Sequence, residues 1–165
     1  MNKHLLLLFM IICYLLPIFI VCYNYNSNNS VSNIICNNNC KNYILFFMFL
    51  MGIATIMYEL ERKDIYSQIL IYTLLIGIYG LIFINETFKI HYFFAFLVFI
   101  AILFFMIRHC YLKKCNSILL LSLYFEIFTL LVIIIDLNKN TNIFYSEIFY
   151  ILNFAFFYLY LHFMK

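Results

Sequence analysis

Long apolar stretches separated by short polar connections run along the whole chain. Six of them reach the length of a spanning helix, at positions 5–23, 43–58, 66–84, 90–107, 118–136 and 143–163. A helix crosses roughly 30 Å of hydrocarbon with about 20 predominantly apolar residues. Because backbone groups in lipid must be hydrogen-bonded within the segment, these stretches predict helices and not strands. The pattern predicts an all-α polytopic bundle of six transmembrane helices, in a single transmembrane domain over residues 1–165.

The polar connections predict short turns, with one exception. An Asn-rich tract at 24–42 separates the first two predicted spans and is too polar to fold on its own. The first apolar stretch follows Lys3, as in a signal peptide. Its core is long, however, and Val21-Cys22-Tyr23 is a poor cleavage site, so we interpret the stretch as an uncleaved span.

The composition supports a membrane location. Of the 165 residues, 67% are hydrophobic and 10% are charged, whereas a soluble domain is about a quarter charged. A small soluble domain buries too little of its surface to hide so many apolar residues. The net charge of +3 is small and no basic run is interleaved with aromatic residues, which excludes nucleic acid as a partner. Membrane lipids and other membrane proteins are the expected partners, and the sequence predicts no cofactor.

The distribution of basic residues predicts the orientation, since cytoplasmic loops carry an excess of Lys and Arg. With the N-terminus inside, seven basic residues fall on the cytoplasmic side: Lys3, Arg62, Lys63, Arg108, Lys113, Lys114 and Lys165. Three fall on the outer side: Lys41, Lys89 and Lys139. We therefore expect both termini of this integral multi-pass protein to be cytoplasmic. An endomembrane or the plasma membrane is favoured, and the sequence does not specify which.

The predicted outer loop carries groups that are modified in oxidising compartments. Asn28 begins an Asn-x-Ser sequence, which is a glycosylation acceptor. Cys36 and Cys40 are four residues apart and form a candidate disulfide, with Cys22 as a rival partner. The loop contains no His to complete a metal site with these cysteines, so a metal is disfavoured there.

Two further cysteines flank basic residues on the predicted cytoplasmic side. Cys110 and Cys115 lie on either side of Lys113 and Lys114, which is a setting for S-palmitoylation. A pair of unmodified thiols is an equally good interpretation of the same pattern.

One carboxyl group lies near the middle of a predicted span. Glu126 is nine residues from Ser117 and ten from Asp136. An ionised carboxylate is costly at that depth, so we expect Glu126 to be protonated or hydrogen-bonded across the bundle. Asn153 lies at comparable depth on the last span and is the natural partner if the two helices pack antiparallel. A structural hydrogen bond of about 1 kcal/mol is the favoured interpretation, and a proton or substrate relay is the alternative.

Polar residues also converge at the predicted outer face. Glu86, His91, Asp136 and Glu147 lie at the ends of four different spans and share one leaflet. One His with several carboxylates suits a metal or a lipid headgroup. We favour the alternative, in which these residues are ordinary polar helix ends, and no metal ion is predicted. His91 is the best-defined member, because the small Ala95 follows one turn later and admits a close neighbour.

Three short motifs follow one another in a recognisable order on the predicted topology. The first runs from Gly77-x-x-Gly80-Leu81 through Asn85-Glu86 to His91-x-x-x-Ala95-x-x-x-Phe99. The second is Ser146-Glu147 followed by Phe156-Phe157-Tyr158, and the third is Arg62 just after the second span. Together they resemble the damage-regulated autophagy modulator (DRAM) family of six-pass membrane proteins, which includes the Frag and Sfk-type proteins. The resemblance covers most of the chain from about Tyr58 onward.

Members of that family are implicated in autophagy and lysosomal function, in remodelling of GPI lipids, or in scaffolding phosphoinositide kinases at membranes. The resemblance therefore implies a membrane-trafficking or lipid-organising protein, and it implies no catalytic residues. The chain differs from many members in two respects, because no Trp follows Glu147 and the first outer loop contains no Pro.

The favoured function is that of a non-catalytic bundle that organises lipids or partner proteins. No nucleophile-elbow, zinc-protease, P-loop or dinucleotide-binding motif occurs in the sequence. A small transporter or channel that uses Glu126 and Asn153 is the first alternative. A lipid-modifying enzyme at the outer face is the second.

Overall fold

The computed structural model describes residues 3–25, 30–37, 41–62, 64–85, 87–114, 116–139 and 141–164. Within these ranges the chain forms seven α-helices: α1 (Lys3–Tyr23), α2 (Val31–Asn37), α3 (Lys41–Arg62), α4 (Ile65–Phe83), α5 (Lys89–Leu112), α6 (Ser117–Lys139) and α7 (Phe144–Phe163). All of them except α2 are long and apolar enough to cross a membrane. The predicted all-α class with six candidate transmembrane helices is therefore confirmed.

The second span is longer than the sequence pattern predicts. The pattern ends this span at position 58 and places Glu59 in a connection, whereas α3 continues to Arg62. The added turn is stable because Glu59 is completely buried and lies 3.5 Å from Arg62, three residues later. An acid and a base at this spacing stabilise a helix.

The Asn-rich loop contains the short helix α2, which the sequence pattern does not predict. The Ser30 hydroxyl accepts a hydrogen bond from the Asn33 N–H at 3.1 Å and acts as the N-cap of α2. Ile34 and Ile35 pack into a small cluster with buried side chains from α1, α3, α4 and α7. A helix of seven residues is not stable alone in water, so this packing supports α2.

The spanning helices alternate in direction, so the start of α1 and the end of α7 lie at the same end of the bundle. His4 on α1 and His162 on α7 are hydrogen-bonded there at 3.1 Å. We call this the terminal end, and it also contains the α3–α4 and α5–α6 connections. The opposite end contains α2 with the α4–α5 and α6–α7 connections, and we call it the α2 end. The assignment of the terminal end to the cytoplasm stays a prediction.

Two features hold the helices together, namely the hydrogen bonds of α7 and the close approach of α4 to α5. α7 makes side-chain hydrogen bonds to α1, α3, α5 and α6. α4 and α5 approach closely at Gly77 and Gly80. A Cβ on Gly77 would lie 2.8 Å from Val98 Cγ2, and one on Gly80 would overlap ring atoms of Phe94. The absence of side chains at the two glycines therefore lets these helices pack together.

The outer surface of the bundle is apolar. Phe19 on α1, Phe83 on α4 and Leu121 on α6 are among the exposed side chains, at 68%, 70% and 70% exposed. Contiguous apolar surface on this scale is rare on soluble monomers and marks contact with a membrane or a partner. The surface therefore fits a bundle surrounded by lipid.

Candidate functional site

At the α2 end, two of the polar residues predicted at the outer face hold α2 against the bundle. The Glu147 carboxylate accepts a hydrogen bond from the backbone N–H of Val31 at 2.8 Å. The His91 ring is buried and lies between the end of α4 and α2. Its Nδ1 is 2.7 Å from the carbonyl oxygen of Ile84, and its Nε2 is 3.2 Å from the hydroxyl of Ser32.

The partner of Nδ1 identifies its role. A carbonyl oxygen only accepts hydrogen bonds, so Nδ1 carries a proton and donates to the Ile84 carbonyl. Nε2 is hydrogen-bonded to the Ser32 hydroxyl. Ser32 is in turn 3.0 Å from the hydroxyl of Ser30, the N-cap of α2. A chain of hydrogen bonds therefore runs from the end of α4 through His91 to the first turn of α2.

The other members of the predicted outer-face cluster are placed differently. Asp136 accepts a hydrogen bond from the Thr141 hydroxyl at 2.9 Å and lies 3.4 Å from the Ser146 hydroxyl, so it closes the α6–α7 connection. Glu86 lies outside the described residues. Among the residues that are described, no group of three or more His, Cys, Asp or Glu is arranged to hold a metal ion. Each described member of the cluster forms its own hydrogen bonds with loop and turn atoms.

In the middle of the bundle, the structure brings together Glu126 of α6 and Asn153 of α7. The Asn153 amide donates to Glu126 Oε2, and also to the carbonyl oxygen of Ser122 at 2.9 Å. The Ser122 hydroxyl donates to Asn153 Oδ1 at 2.8 Å. Glu126 is completely buried, and its Oε1 has no hydrogen-bond partner within the described part of the chain. α7 therefore satisfies one oxygen of this carboxyl group and leaves the other unsatisfied.

Two tyrosines near Glu126 tie α7 to further helices. The Tyr14 hydroxyl on α1 donates to the carbonyl oxygen of Ile151 at 2.6 Å. The Tyr150 hydroxyl on α7 donates to the carbonyl oxygen of Phe99 on α5 at 2.9 Å. These bonds join four helices around the buried carboxyl group.

At the terminal end, a second buried carboxyl group lies among aromatic and basic side chains. Glu59 of α3 accepts a hydrogen bond from the hydroxyl of Tyr158 on α7. The Arg62 guanidinium lies 5.0 Å from the ring centre of Tyr158 and 5.3 Å from that of Tyr58. The Tyr58 hydroxyl is hydrogen-bonded to Nδ1 of His162. Arg62 neutralises the Glu59 carboxylate, and the two tyrosine rings stabilise the cation.

Beside this carboxyl group, Ser67, His109 and Asp64 form a short chain of hydrogen bonds. The Ser67 hydroxyl donates to Asp64 Oδ2 at 2.6 Å, and its oxygen lies 3.0 Å from His109 Nε2. A guanidinium only donates hydrogen bonds, and Arg62 Nη1 also approaches His109 Nε2, at 3.4 Å. These contacts join α3, α4 and α5 at the terminal end.

Asp64 also forms a two-point salt bridge with the Arg108 guanidinium. Arg108 Nε and one terminal nitrogen donate to the two Asp64 oxygens at 3.3 and 3.0 Å. The hydrogen bonds from Arg108 lower the pKa of the Asp64 carboxyl, against the opposing effect of burial. Asp64 is therefore ionised at neutral pH.

Arg108 is one of the residues that line a groove between α4 and α5 on the outer surface of the bundle. The groove has a volume of about 420 Å³ and is lined by Tyr66, Ile69, Leu70, Phe104, Ile107, Arg108 and Tyr111. Its wall is almost entirely apolar, and the guanidinium lies 4.7 Å from the Tyr66 ring centre. Two of the five guanidinium N–H groups bond to Asp64, and three make no hydrogen bond to a described residue.

The predicted modification sites have separate outcomes. Cys110 is buried, with 3% of its surface exposed, so its thiol does not face an acyl donor and palmitoylation there is disfavoured. The side chain of Cys36 and the residues Cys40, Cys115 and Asn28 lie outside the described part of the chain. The disulfide, the second acylation site and the glycosylation site stay predictions.

The sequence pattern does not predict the buried Glu59 carboxyl group and its partners at the terminal end. The apolar pattern places Glu59 and Arg62 in a polar connection and Tyr158 in an aromatic run. The available signal is the spacing Glu59-x-x-Arg62, which puts an acid and a base on one face of a helix that outlasts its apolar stretch. Tyr158 carries no such signal, because Tyr and Phe are equivalent in an apolar pattern.

No family model, no curated protein and no solved structure matches this chain. The resemblance to the DRAM family therefore stays a prediction from its motifs. The structural features from which a function can be argued are the groove, the α2 contacts and the two buried carboxyl groups.

Proposed function

We propose that this protein is a non-catalytic membrane protein that organises lipids, and that it binds an anionic phospholipid in the α4–α5 groove. The position of Arg108 carries the proposal, because its side chain lines a groove with apolar, outward-facing walls. An acyl chain suits such walls. A phosphate group suits a guanidinium, which offers it several N–H donors in a planar fork.

The charges near Arg108 favour an anionic ligand. Lys113 and Lys114 follow directly after α5 and are exposed. Asp64 neutralises the charge of Arg108, so the net positive charge in this region comes from the two lysines. A basic residue near an anionic membrane surface contributes about 1 kcal/mol of attraction. The three N–H groups of Arg108 that do not bond to Asp64 also favour an anionic ligand, since a phosphate can accept hydrogen bonds from them.

The wider role that we propose, in membrane trafficking or an autophagy-like process, rests on the DRAM resemblance alone. A lipid held in the groove supports the lipid-organising part of that role. Partner proteins in the same membrane would meet the bundle through its apolar outer surface.

A tryptophan probe tests the lipid site, because the sequence contains no Trp. Phe104→Trp places the fluorophore in the groove wall, one helical turn from Arg108. The variant is reconstituted in vesicles with brominated phosphatidylglycerol or brominated phosphatidylcholine at equal mole fraction. We expect phosphatidylglycerol to quench the fluorescence more, with a binding constant about fivefold higher, which corresponds to about 1 kcal/mol.

Phe125→Trp is the matched control. Phe125 lies on α6, is 42% exposed, and stands as far from the terminal end as Phe104 does on α5. The two lipids should quench the Phe125→Trp variant equally. Adding Arg108→Gln to Phe104→Trp should remove the preference for phosphatidylglycerol. Equal quenching of Phe104→Trp by both lipids would exclude an anionic-lipid site in this groove.

A further inference from the structure

Asp64 immediately precedes α4, and its side chain does not cap the helix as an acid at this position usually does. It occupies the N-cap position, where a carboxylate normally accepts a hydrogen bond from a backbone N–H of the first turn. The Asp64 side chain makes no such bond. Its two oxygens bond to Arg108 on α5 instead, at 3.0 and 3.3 Å. The carboxylate therefore serves a residue of the α4–α5 groove and not its own helix.

The start of α4 holds the Arg108 side chain from two sides. Asp64 binds one edge of the guanidinium, and the Tyr66 ring centre lies 4.7 Å from the guanidinium carbon. Ser67 in turn holds the carboxylate, because its hydroxyl donates to Asp64 Oδ2 at 2.6 Å. Ser67 is completely buried, so its own position is fixed by the packing of the bundle. These contacts together fix the orientation of the guanidinium.

A guanidinium has two edges that each present a pair of N–H groups to two oxygen atoms. Asp64 accepts hydrogen bonds from the Nε–Nη2 edge of Arg108. The Nη1–Nη2 edge makes no hydrogen bond to a described residue. Two oxygens of a phosphate fit this second edge as two carboxylate oxygens fit the first. Because Arg108 lines the groove, it can bind Asp64 and the phosphate of a lipid in the groove at the same time.

We propose that Asp64 is the positioning residue of the lipid site, and that it holds Arg108 so that the Nη1–Nη2 edge binds the lipid phosphate with two hydrogen bonds. This inference rests on the anionic-lipid site proposed above and adds how that site recognises its ligand. The ligand class is a lipid whose phosphate has two unesterified oxygens and no cation beside them. Phosphatidylglycerol meets both conditions. Phosphatidylcholine has the two oxygens, but Arg108 and the exposed Lys113 and Lys114 repel its choline cation.

A purely structural role for the Asp64–Arg108 pair explains less of this geometry. α4 and α5 already pack closely at Gly77 and Gly80, so their contact does not depend on an ion pair. The pair is partly exposed, with 22% of the Asp64 side chain and 31% of the Arg108 side chain accessible. An ion pair exposed to this extent stabilises a fold only weakly. Its main effect is therefore on the orientation of Arg108.

Charge attraction and positioning predict opposite effects of Asp64→Asn. The substitution removes a negative charge beside the groove, so charge attraction alone predicts a stronger preference for an anionic lipid. Positioning predicts a weaker preference, because an amide has a single acceptor oxygen and cannot bind the Nε–Nη2 edge at two points. Arg108 then loses its fixed direction although the net positive charge of the site increases. The sign of the change therefore separates the two explanations.

Quenching by brominated lipids tests the proposal in the full chain with the Phe104→Trp probe, which we call the parent. The parent should prefer phosphatidylglycerol to phosphatidylcholine about fivefold. Adding Asp64→Asn should lower this preference to less than about twofold. Adding Arg108→Lys should do the same, because an ammonium keeps the charge and the ion pair with Asp64 but lacks the fork. Unfolding in SDS should show Arg108→Lys to be as stable as the parent, whereas a structural role predicts that it also keeps the lipid preference.

Glu61→Gln is the matched control, because it removes one exposed negative charge at the same end of the bundle and Glu61 does not line the groove. The preference of this variant should not fall below that of the parent. A parent without any preference would overturn both the lipid site and the role of Asp64. A parent preference that Asp64→Asn or Arg108→Lys keeps or raises would overturn the role of Asp64 alone, and so would an equal loss in Glu61→Gln. If Asp64→Asn does not fold, Arg108→Lys gives the decisive result.

Discussion

The Glu147 carboxylate accepts a hydrogen bond at 2.8 Å from the backbone N–H of Val31, although 116 residues separate the two in sequence. The bond joins the first turn of α7 to the first residue of α2. His91 on α5 holds the next residue of α2, Ser32, at 3.2 Å. Two spanning helices thus hold one loop helix by its first turn, and this contact makes part of an Asn-rich loop a fixed part of the bundle.

His91→Ala should release α2 from the bundle. The substitution removes the hydrogen-bond partner of the Ser32 hydroxyl and leaves the Ile84 carbonyl without its donor, which costs about 1–3 kcal/mol. We expect amide hydrogen exchange at residues 31–37 to accelerate by about tenfold for each 1.4 kcal/mol lost. His4→Ala is the control, since His4 is exposed at the opposite end of the bundle and its loss should not affect α2. Equal exchange in the two variants would contradict the role of His91.

Gly77→Ala should separate α4 from α5. The new Cβ would lie 2.8 Å from Val98 Cγ2 and 3.1 Å from the backbone nitrogen of Val98, which cannot move aside easily. Overpacking of this kind costs about 1–3 kcal/mol. Unfolding in mixed micelles with increasing SDS, followed by circular dichroism, measures the loss.

Gly52→Ala is the matched control for the α4–α5 contact. Its Cβ would approach the hydroxyl of Tyr79 at 2.5 Å, which is the far end of a side chain that can rotate away. We expect a smaller loss of stability than for Gly77→Ala. The reverse order of the two variants would show that the α4–α5 approach does not depend on Gly77.

The Asp64–Arg108 pair should make stability depend on pH at the acidic end. The hydrogen bonds from Arg108 hold the pKa of Asp64 below its unfolded value, so the folded protein binds fewer protons near pH 4 than the unfolded chain. The contribution of Asp64 is fully present above the unfolded pKa and is lost as the pH falls through the folded pKa.

Thermal unfolding of wild type and Asp64→Asn between pH 7 and pH 3 measures this contribution. We expect a constant difference at neutral pH that shrinks below about pH 4, where the carboxyl becomes protonated. Glu61→Gln changes an exposed acid at the same end of the bundle and serves as the control. A difference for Asp64→Asn that stays constant down to pH 3 would contradict the pairing.

Accessibility of single cysteines tests the predicted orientation. In a cysteine-free background, probes at Ser30, Phe88 and Thr141 lie at the α2 end, and a probe at Lys113 lies at the terminal end. We expect a membrane-impermeant thiol reagent to label the first three from outside intact cells, and Lys113→Cys only after permeabilisation. The opposite result would invert the orientation and move the groove with Arg108 to the outer leaflet.

The six spans follow from the sequence because the requirement is local. A helix in lipid satisfies its backbone hydrogen bonds within its own segment, so the length of an apolar stretch predicts a span without reference to any other. The contact between Glu126 and Asn153 could also be anticipated. Two polar residues at equal depth on consecutive antiparallel helices have few other partners in an apolar bundle.

The remaining polar contacts depend on how each helix is rotated and on which helices become neighbours. Glu59 carries a charge and ends an apolar stretch, so the sequence pattern assigns it to a connection; packing against α7 buries it beside Tyr158. Ser32 lies in an Asn-rich loop, and the bundle brings it to His91. A contact between distant residues needs two complementary surfaces, and these are formed only when the helices pack. The composition of either segment alone does not contain that information.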